Sequence, residues 1–220
     1  MPLVINRIEP SRTAIVVVDM ENDFVAPGAP METPMAREIV PNLKRVLQCA
    51  RETGMKVIFT THAHRRDGSD MGLYGELWPP IEMRAGLVDG EPGIEIYPEL
   101  GLRANEPVIK KHRYSAFFGT DLDILLRGQN ITTVVITGCT TENCCHATAR
   151  DAMFRNYRVA FLSDATGTFD YPDVGFGAIP AKEVHRVSLG ILGVSTAHVM
   201  TVDQFLKLAQ SARPAERVAV

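Results

Sequence analysis

Residues 132–162 read TTVVITGCTTENCCHATARDAMFRNYRVAFL and contain a complete strand–helix–strand pattern. The runs 132–137 and 157–162 are short, apolar and rich in β-branched residues, and residues 141–155 between them have helical spacing. Continuous apolar runs of this length are typical of strands buried on both faces of a parallel sheet. The stretch therefore predicts a β-α-β unit.

The same alternation extends through the rest of the chain. Further strand-like runs lie at 13–19, 56–61, 107–110 and 197–200, and further helical patterns at 35–52, 121–127, 181–192 and 202–212. We therefore expect an α/β fold with three layers, α/β/α, around a six-stranded, mostly parallel, doubly wound sheet. The length of 220 residues suits one domain of moderate size or two small ones, and the absence of a linker pattern favours a single domain over 1–220. Residues 62–106 and 163–180 are predicted loops above the sheet.

Composition excludes several classes of function. The 23 basic and 26 acidic side chains give a net charge of −3, which offers no electrostatic basis for binding nucleic acid or an anionic membrane. No apolar run approaches the ~20 residues of a membrane helix, and residues 1–13 carry no secretory pattern. Three of the four cysteines lie within seven positions, 139–145, which fits thiols in a reducing compartment rather than a disulfide framework. We expect a cytoplasmic protein.

Reactive side chains follow three of the predicted strands. Asp19 ends the first run, Lys110 and Lys111 end the third, and Cys144 starts the helix after the fourth. Ligands bind outside the carboxyl ends of strands in open parallel sheets, so these groups should converge there. A helix N-terminus and a nearby lysine should lower the pKa of the Cys144 thiol, and Asp19 could serve as its general base.

Each of these residues also has a purely structural interpretation. Free cysteines are among the most buried residues, so Cys144 could be an ordinary core residue. Asp19 could cap a turn with Asn22, and Lys111 could be solvated. The residues alone leave these alternatives open.

Three motifs together resemble those of the isochorismatase-like cysteine hydrolases. Residues 18–24, VDMENDF, resemble their D-M-x-N-D-F opening. Residues 111–117, KHRYSAF, followed by GTDL at 119–122, resemble their lysine segment. Residues 137–144, TGCTTENC, followed by ATARDA at 147–152, resemble their nucleophile turn and the helix after it. The resemblance covers about residues 11–210 and is closest to the ureidoacrylate, biuret and N-carbamoyl amidohydrolases.

This resemblance implies an activity and a site. It implies hydrolysis of a C–N bond in a small amide, ureido or carbamoyl compound through a covalent acyl-enzyme on Cys144. The implied catalytic triad is Asp19, Lys111 and Cys144, and the backbone N–H groups of Thr140 and Cys144 would form the oxyanion hole. It further implies a cis peptide between Cys139 and Thr140, the strand order 3-2-1-4-5-6, and assembly as a homodimer or homotetramer.

Further residues are candidates for substrate binding. A planar ureido group needs several hydrogen-bonding partners, which could come from Asn22, Tyr114, Glu142 and Asn143. The pocket walls could come from Phe24, Trp78 and Phe118, although each could equally be a core residue. Arg65, Arg66 and His112 could pair with a substrate carboxylate, against the alternative that they are merely solvated.

No metal or cofactor is expected. Family members acting on nicotinamide carry a metal held by D-x-H at the end of the second strand and by a later histidine. Here that place reads His62-Ala63-His64, and no later histidine lies near Gly86. His62 and His64 could still share a strand face and bind a metal, but polar loop residues are the simpler interpretation.

Three other functions stay open at this level. An isochorismatase-type hydrolase of an ether bond would tolerate loss of Cys144. A binding or assembly protein with the same fold would have an unreactive Cys144. A redox sensor using Cys144 and Cys145 is disfavoured, because adjacent cysteines rarely bridge without strain.

Overall fold

The computed structural model describes residues 2–210. Within them, six parallel strands form one sheet in the order β3-β2-β1-β4-β5-β6, which confirms the expected fold. The strands are β1 (Thr13–Val18), β2 (Lys56–His62), β3 (Val108–Lys111), β4 (Thr133–Cys139), β5 (Arg158–Gly167) and β6 (His198–Met200).

The described helices connect these strands and cover both faces of the sheet. They are α1 (Asn22–Val25), α2 (Pro34–Glu38), α3 (Val40–Thr53), α4 (Tyr74–Leu77), α5 (Pro79–Glu82), α6 (Leu122–Gly128), α7 (His146–Phe154), α8 (Ala181–Ser195) and α9 (Val202–Gln210). Single 3₁₀ turns lie at Pro10–Arg12, Pro92–Ile94 and Pro98–Leu100, and a π-helical turn spans Thr141–Cys145. The predicted end of the last helix, residue 212, lies outside the described residues.

The helix predicted over 35–52 is divided in two. Pro41 stands near the start of α3 and has no N–H to bond to an earlier carbonyl, so α2 cannot continue through it. The other end of α3 was predicted well, because Gly54 adopts φ +78° and closes the helix in the left-handed region.

Side chains of β1 alternate between two hydrophobic cores. Ile15 and Val17 pack with α3 and α9 on one face, whereas Ala14, Val16 and Val18 pack with α6, α7 and α8 on the other. Because both faces are covered, the whole strand is buried, as its uninterrupted apolar run predicts. Within residues 2–210, no helix combines the length and the apolar character needed to cross a bilayer.

Strand β5 continues beyond the predicted start of its loop at residue 163. The apolar run ends at Leu162, but the backbone resumes pairing with β4 at Thr166 and Gly167 after a shift in register. Ser163 donates a hydrogen bond to the Met200 carbonyl, and the Asp164 carboxylate accepts the Val202 N–H, so polar side chains fit within this strand.

The long excursion over 62–106 folds back across the carboxyl ends of the strands. Its backbone is tied to the segment after β1: Asn22 N–H donates to the Glu95 carbonyl, and Tyr97 N–H donates to the Met20 carbonyl. The Asp23 carboxylate accepts the Leu87 N–H at 2.6 Å. These hydrogen bonds hold part of the 62–106 segment over the carboxyl edge of the sheet, where Asp19 follows β1.

Candidate active site

Lys111, Asp19 and Cys144 meet in a buried cluster at the carboxyl ends of β3, β1 and β4. The Lys111 ammonium lies 2.7 Å from Asp19 Oδ2 and 3.4 Å from Cys144 Sγ, and it donates to the Arg113 carbonyl at 2.9 Å. An ammonium has three N–H donors, so these three partners use all of them. Lys111 and Asp19 are fully buried, and Cys144 is 3% exposed.

The chain fixes Asp19 from several sides. Its backbone has φ +50°, a left-handed conformation that aspartate tolerates better than most residues. Thr60 Oγ1 accepts the Asp19 N–H at 3.1 Å and donates to Oδ1 at 2.6 Å. Gly138 lies so close to Val18 that a Cβ at position 138 would clash with the Val18 backbone. The carboxylate is thus held in place by the two strands next to β1.

The sulfur atoms of Cys139, Cys144 and Cys145 point in different directions. Cys144 lies in the turn Thr141–Cys145, just before α7, and lines the pocket described below. Cys145 instead directs its sulfur to the Thr137 carbonyl at 3.7 Å, and Cys139 to the Asp19 carbonyl at 3.2 Å. The peptide between Cys139 and Thr140 is cis, which confirms that implication of the resemblance.

The expectation of a lowered pKa for the Cys144 thiol is wrong. Burial raises the pKa of the Cys144 thiol, and the Asp19 charge and the hydrogen bond from the thiol to Asp19 raise it further. The Lys111 charge acts in the opposite direction but does not outweigh burial. The proton therefore stays on sulfur, and a carboxylate oxygen of Asp19 lies within 4.8 Å of that sulfur.

Lys111 and Glu21 complete the charge balance of the cluster. Burial alone would lower the pKa of Lys111, but the charge of the adjacent Asp19 carboxylate raises it above its ordinary value. Burial and the nearby Asp19 charge raise the pKa of Glu21 well above 4.5. Glu21 is fully buried, and its Oε2 accepts the Thr61 hydroxyl and the His62 N–H. With Glu21 neutral, the cluster contains one negative charge, on Asp19, and one positive charge, on Lys111.

Glu21→Gln is expected to raise the melting temperature by ~3 °C at pH 8 and by less at pH 5. A carboxyl whose pKa is raised by folding favours the folded state at low pH, and this contribution is lost as pH rises above 4.5. Glutamine keeps the acceptor oxygen and cannot ionise. Thermal unfolding at the two pH values measures the effect, and Glu32→Gln is the control, because Arg37 lowers the pKa of Glu32. An equal shift at both pH values would contradict the prediction.

A narrow cavity lies over Cys144. Its walls are mainly aromatic and aliphatic, formed by Phe24, Met31, Tyr74, Trp78, Ile81, Leu87 and Phe169. Its polar lining consists of His62, Tyr114, Thr140, Asn143 and Cys144. A larger groove lined by Lys56 and Pro107 lies at the opposite edge of the sheet, away from the cluster. The cavity over Cys144 is therefore the candidate substrate pocket.

The structure brings some of the predicted substrate-binding residues to this pocket and leaves others outside it. Phe24, Trp78, Tyr114 and Asn143 line it, as do both residues of the predicted oxyanion hole, Thr140 and Cys144.

The remaining predicted binding residues do not line the pocket. They bond to other groups or are exposed to solvent. Asn22 donates to the Pro92 carbonyl at 2.8 Å, and Phe118 is 63% exposed. Glu142 accepts the Tyr171 hydroxyl and the Asn143 amide, so it stands behind Asn143 rather than in the wall. Arg66 pairs with Glu91 at the surface, and His112 Nδ1 lies 2.6 Å from the Ala63 carbonyl.

Among the described residues, 2–210, two groups of side chains could hold a metal ion. One is His64, Asp70 and His112, whose ligand atoms lie within 4.8 Å of one another. Both ring nitrogens of His64 and Oδ2 of Asp70 are buried without hydrogen-bond partners, so this group fits a divalent transition metal. The other is Asp19, His62 and Cys144, where the adjacent Lys111 ammonium would repel a cation.

Several residues of the site were not predicted from the sequence. Tyr74 and Phe169 lie in segments without helical or strand periodicity, so no pattern marks them as pocket walls. Glu21 could have been found, because a second carboxylate two positions after Asp19 has no obvious place in a buried strand end. His62 was interpreted as a polar loop residue, but it is the last residue of β2 and is only 2% exposed.

The fold and the cluster define a buried cysteine–lysine–aspartate site at the switch point of a doubly wound sheet. Residues 13–204 match the isochorismatase domain. The chain therefore belongs to the isochorismatase family of hydrolases.

The chain is similar to a solved structure and to two relatives whose names differ in the activity that they state. The structure of a cysteine hydrolase from Pseudomonas syringae pv. phaseolicola 1448A is 37% identical, with a TM-score of 0.93 over 97% of this chain and 99% of that one. An N-carbamoylsarcosine amidase from Arthrobacter sp. is 35% identical over 71% of this chain and 60% of its own length. A protein of Arabidopsis thaliana named as a probable inactive nicotinamidase is 37% identical over 70% of this chain and 80% of its own length.

Proposed function

We propose that the protein is a cysteine hydrolase that cleaves the C–N bond of a small amide, ureido or carbamoyl compound. One observation carries the proposal: Cys144 lines a pocket, and its sulfur lies 3.4 Å from a buried cation, Lys111, and within 4.8 Å of a carboxylate oxygen of a buried base, Asp19. A nucleophile, its general base and a charge that stabilises the thiolate are the parts that acyl transfer through a thioester requires.

The first half of the reaction forms the acyl-enzyme. Asp19 takes the proton from Cys144 as the sulfur attacks the substrate carbonyl carbon. The Lys111 ammonium stabilises the developing thiolate, and the backbone N–H groups of Thr140 and Cys144 hold the oxyanion of the tetrahedral intermediate. The C–N bond then breaks, and the protonated Asp19 gives its proton to the leaving nitrogen, which departs as ammonia or an amine.

The second half restores the enzyme. Water attacks the thioester or thiocarbamate carbon, with Asp19 accepting a proton from the water. The C–S bond breaks, the acid product leaves, and the proton on Asp19 returns to the Cys144 sulfur. Because Asp19 carries the proton both ways, no net proton accumulates in the buried cluster. His64, Asp70 and His112 take no part in these steps.

The pocket supports a small and largely planar substrate. The cavity is narrow, and the rings of Trp78 and Phe169 meet edge to face at 6.1 Å along its wall. The similarity to an N-carbamoylsarcosine amidase supports a carbamoyl compound among the candidates.

Ammonia release from a panel of small amides and ureides tests the proposal. The panel comprises biuret, ureidoacrylate, N-carbamoyl amino acids, maleamate and nicotinamide. We expect the wild-type enzyme to release ammonia from at least one compound. Silence on the whole panel by a folded protein whose Cys144 reacts with iodoacetamide would contradict the proposed substrate class.

A further inference from the structure

The pocket over Cys144 has no lysine or arginine in its lining. Among the described residues, 2–210, those that line it are aromatic, aliphatic or polar. The side chains that the sequence offered as partners for a substrate carboxylate all lie outside this lining: Arg65, Arg66 and His112. A carboxylate that enters a narrow pocket loses its water, and a buried charge is costly unless a cation pairs with it.

The buried cation beside the pocket is not free to serve as that partner. Lys111 has three N–H donors, and they are used by the Asp19 carboxylate, the Cys144 sulfur and the Arg113 carbonyl. The Arg113 guanidinium donates to the Asp70 carbonyl at 3.0 Å and does not line the pocket. A substrate carboxylate would therefore have to displace a bond of the catalytic cluster.

Acidic side chains adjoin the pocket instead. A carboxylate oxygen of Asp19 lies within 4.8 Å of the Cys144 sulfur, and this base must be ionised to take the thiol proton. Glu142 stands behind Asn143, and its Oε2 is buried without a hydrogen-bond partner. A further anion among these groups would be repelled by them.

Two neutral side chains of the lining have a fixed hydrogen-bond polarity. The Asn143 amide donates to Glu142 Oε1 at 3.2 Å and to the Tyr171 hydroxyl at 2.9 Å, so only its oxygen is left to accept a substrate N–H. The Trp78 indole, which can only donate, bonds to the Tyr114 hydroxyl at 3.1 Å, so that hydroxyl keeps its own proton for an acceptor. One N–H acceptor and one O–H donor suit the two ends of an uncharged amide group.

We propose that the pocket selects uncharged amides and ureides and rejects substrates whose far end carries a carboxylate. This inference rests on the proposed function and narrows its substrate class. Biuret and nicotinamide meet the requirement, whereas maleamate, ureidoacrylate and N-carbamoyl amino acids do not. The steps at the carbonyl carbon are unchanged, because the selection acts on the part of the substrate that does not react.

Matched pairs of compounds test the selection. Each panel compound that the enzyme hydrolyses is compared with a counterpart that differs in a carboxylate against a carboxamide, for example maleamate with maleamide or N-carbamoylglycine with N-carbamoylglycinamide. Initial rates of ammonia release give kcat/KM at pH 8, above the ordinary pKa of histidine, so that no imidazole supplies a positive charge. We expect kcat/KM to be at least ~100-fold higher for the uncharged member, because an unpaired buried charge costs that much or more. The second amide of maleamide accounts for only about a factor of two.

A cation introduced into the lining should weaken the selection. Met31 lines the pocket and is only partly buried, and lysine is a side chain of similar length that ends in an ammonium. Met31→Lys should lower the ratio of the two kcat/KM values by at least ~10-fold, because the substrate carboxylate then has a partner. Met31→Gln is a polar replacement without the charge and should leave the ratio within ~3-fold of wild type.

The outcomes distinguish this inference from the proposed function. A preference below ~100-fold, or a preference for the carboxylate, would overturn the selection for uncharged substrates while C–N hydrolysis stands. Equal changes of the ratio in Met31→Lys and Met31→Gln, or no change in either folded variant, would also overturn it. If thermal unfolding shows that Met31→Lys is not folded, the wild-type ratio decides alone. A wild-type enzyme that releases ammonia from no compound would overturn both proposals.

Discussion

Cys144→Ala should abolish ammonia release from every substrate that the wild-type enzyme hydrolyses, with a loss of at least ~10³-fold in kcat. The proposed reaction passes through a bond to the Cys144 sulfur, and the alanine side chain has no atom that can form it. Cys144 is buried and close to Lys111, so the variant also leaves the Asp19–Lys111 ion pair without its third member. Ammonia assays at saturating substrate measure the loss.

The adjacent cysteine provides the matched control. Cys145 is equally buried, but its sulfur contacts the Thr137 carbonyl rather than the pocket. Cys145→Ala should therefore lose stability without losing the reaction. Turnover that survives in Cys144→Ala would reject the nucleophile and would favour hydrolysis of an ether bond, for which a cysteine nucleophile is dispensable.

Asp19→Asn should lose hydrolysis by at least ~10³-fold while its Cys144 thiol reacts faster with iodoacetamide at pH 7. The two effects have opposite signs because the charge of Asp19, and the hydrogen bond that it accepts from the thiol, raise the pKa of Cys144. Without that charge, the unpaired Lys111 ammonium stabilises the thiolate. The asparagine side chain cannot accept the thiol proton or return it to a leaving nitrogen, so turnover still fails.

In Lys111→Met, the rate of hydrolysis and the rate of Cys144 alkylation should change in the same direction. The Lys111 charge lowers the pKa of Cys144, so its removal leaves less thiolate, and both alkylation and hydrolysis should become slower. Initial rates of iodoacetamide labelling, measured by mass spectrometry of the Cys144 peptide, separate the two variants. Faster alkylation in Lys111→Met, or slower alkylation in Asp19→Asn, would contradict the assigned charges. Thermal unfolding confirms that each variant is folded before its rates are compared.

The sheet was predictable because it depends on a local property. Runs such as 132–137 are buried on both faces, and that requirement appears directly as an uninterrupted apolar stretch. The elements that were predicted less well depend on particular interactions. The break between α2 and α3 follows from one proline, and the extension of β5 to Gly167 follows from a shift in register with β4.

The residues of the candidate site also fall into those that the sequence predicts and those that it does not. Asp19, Lys111 and Cys144 follow strands, so the topology alone brings them to one edge of the sheet. The walls of the pocket come from aperiodic segments, whose conformation depends on distant contacts such as that of Asp23 with the Leu87 N–H. The pKa of Cys144 was predicted in the wrong direction because the sequence shows its charged neighbours but not its burial.

The most direct test of the central claim is the mass of the enzyme during turnover. The enzyme is mixed with the most rapidly hydrolysed panel compound, quenched in acid within one turnover, and digested. The peptide that contains Cys144 should carry the mass of the acyl or carbamoyl group, and the same peptide from Cys144→Ala should not. Rapid turnover with an unmodified Cys144 peptide at every quench time, or an adduct on a different residue, would contradict covalent catalysis by Cys144.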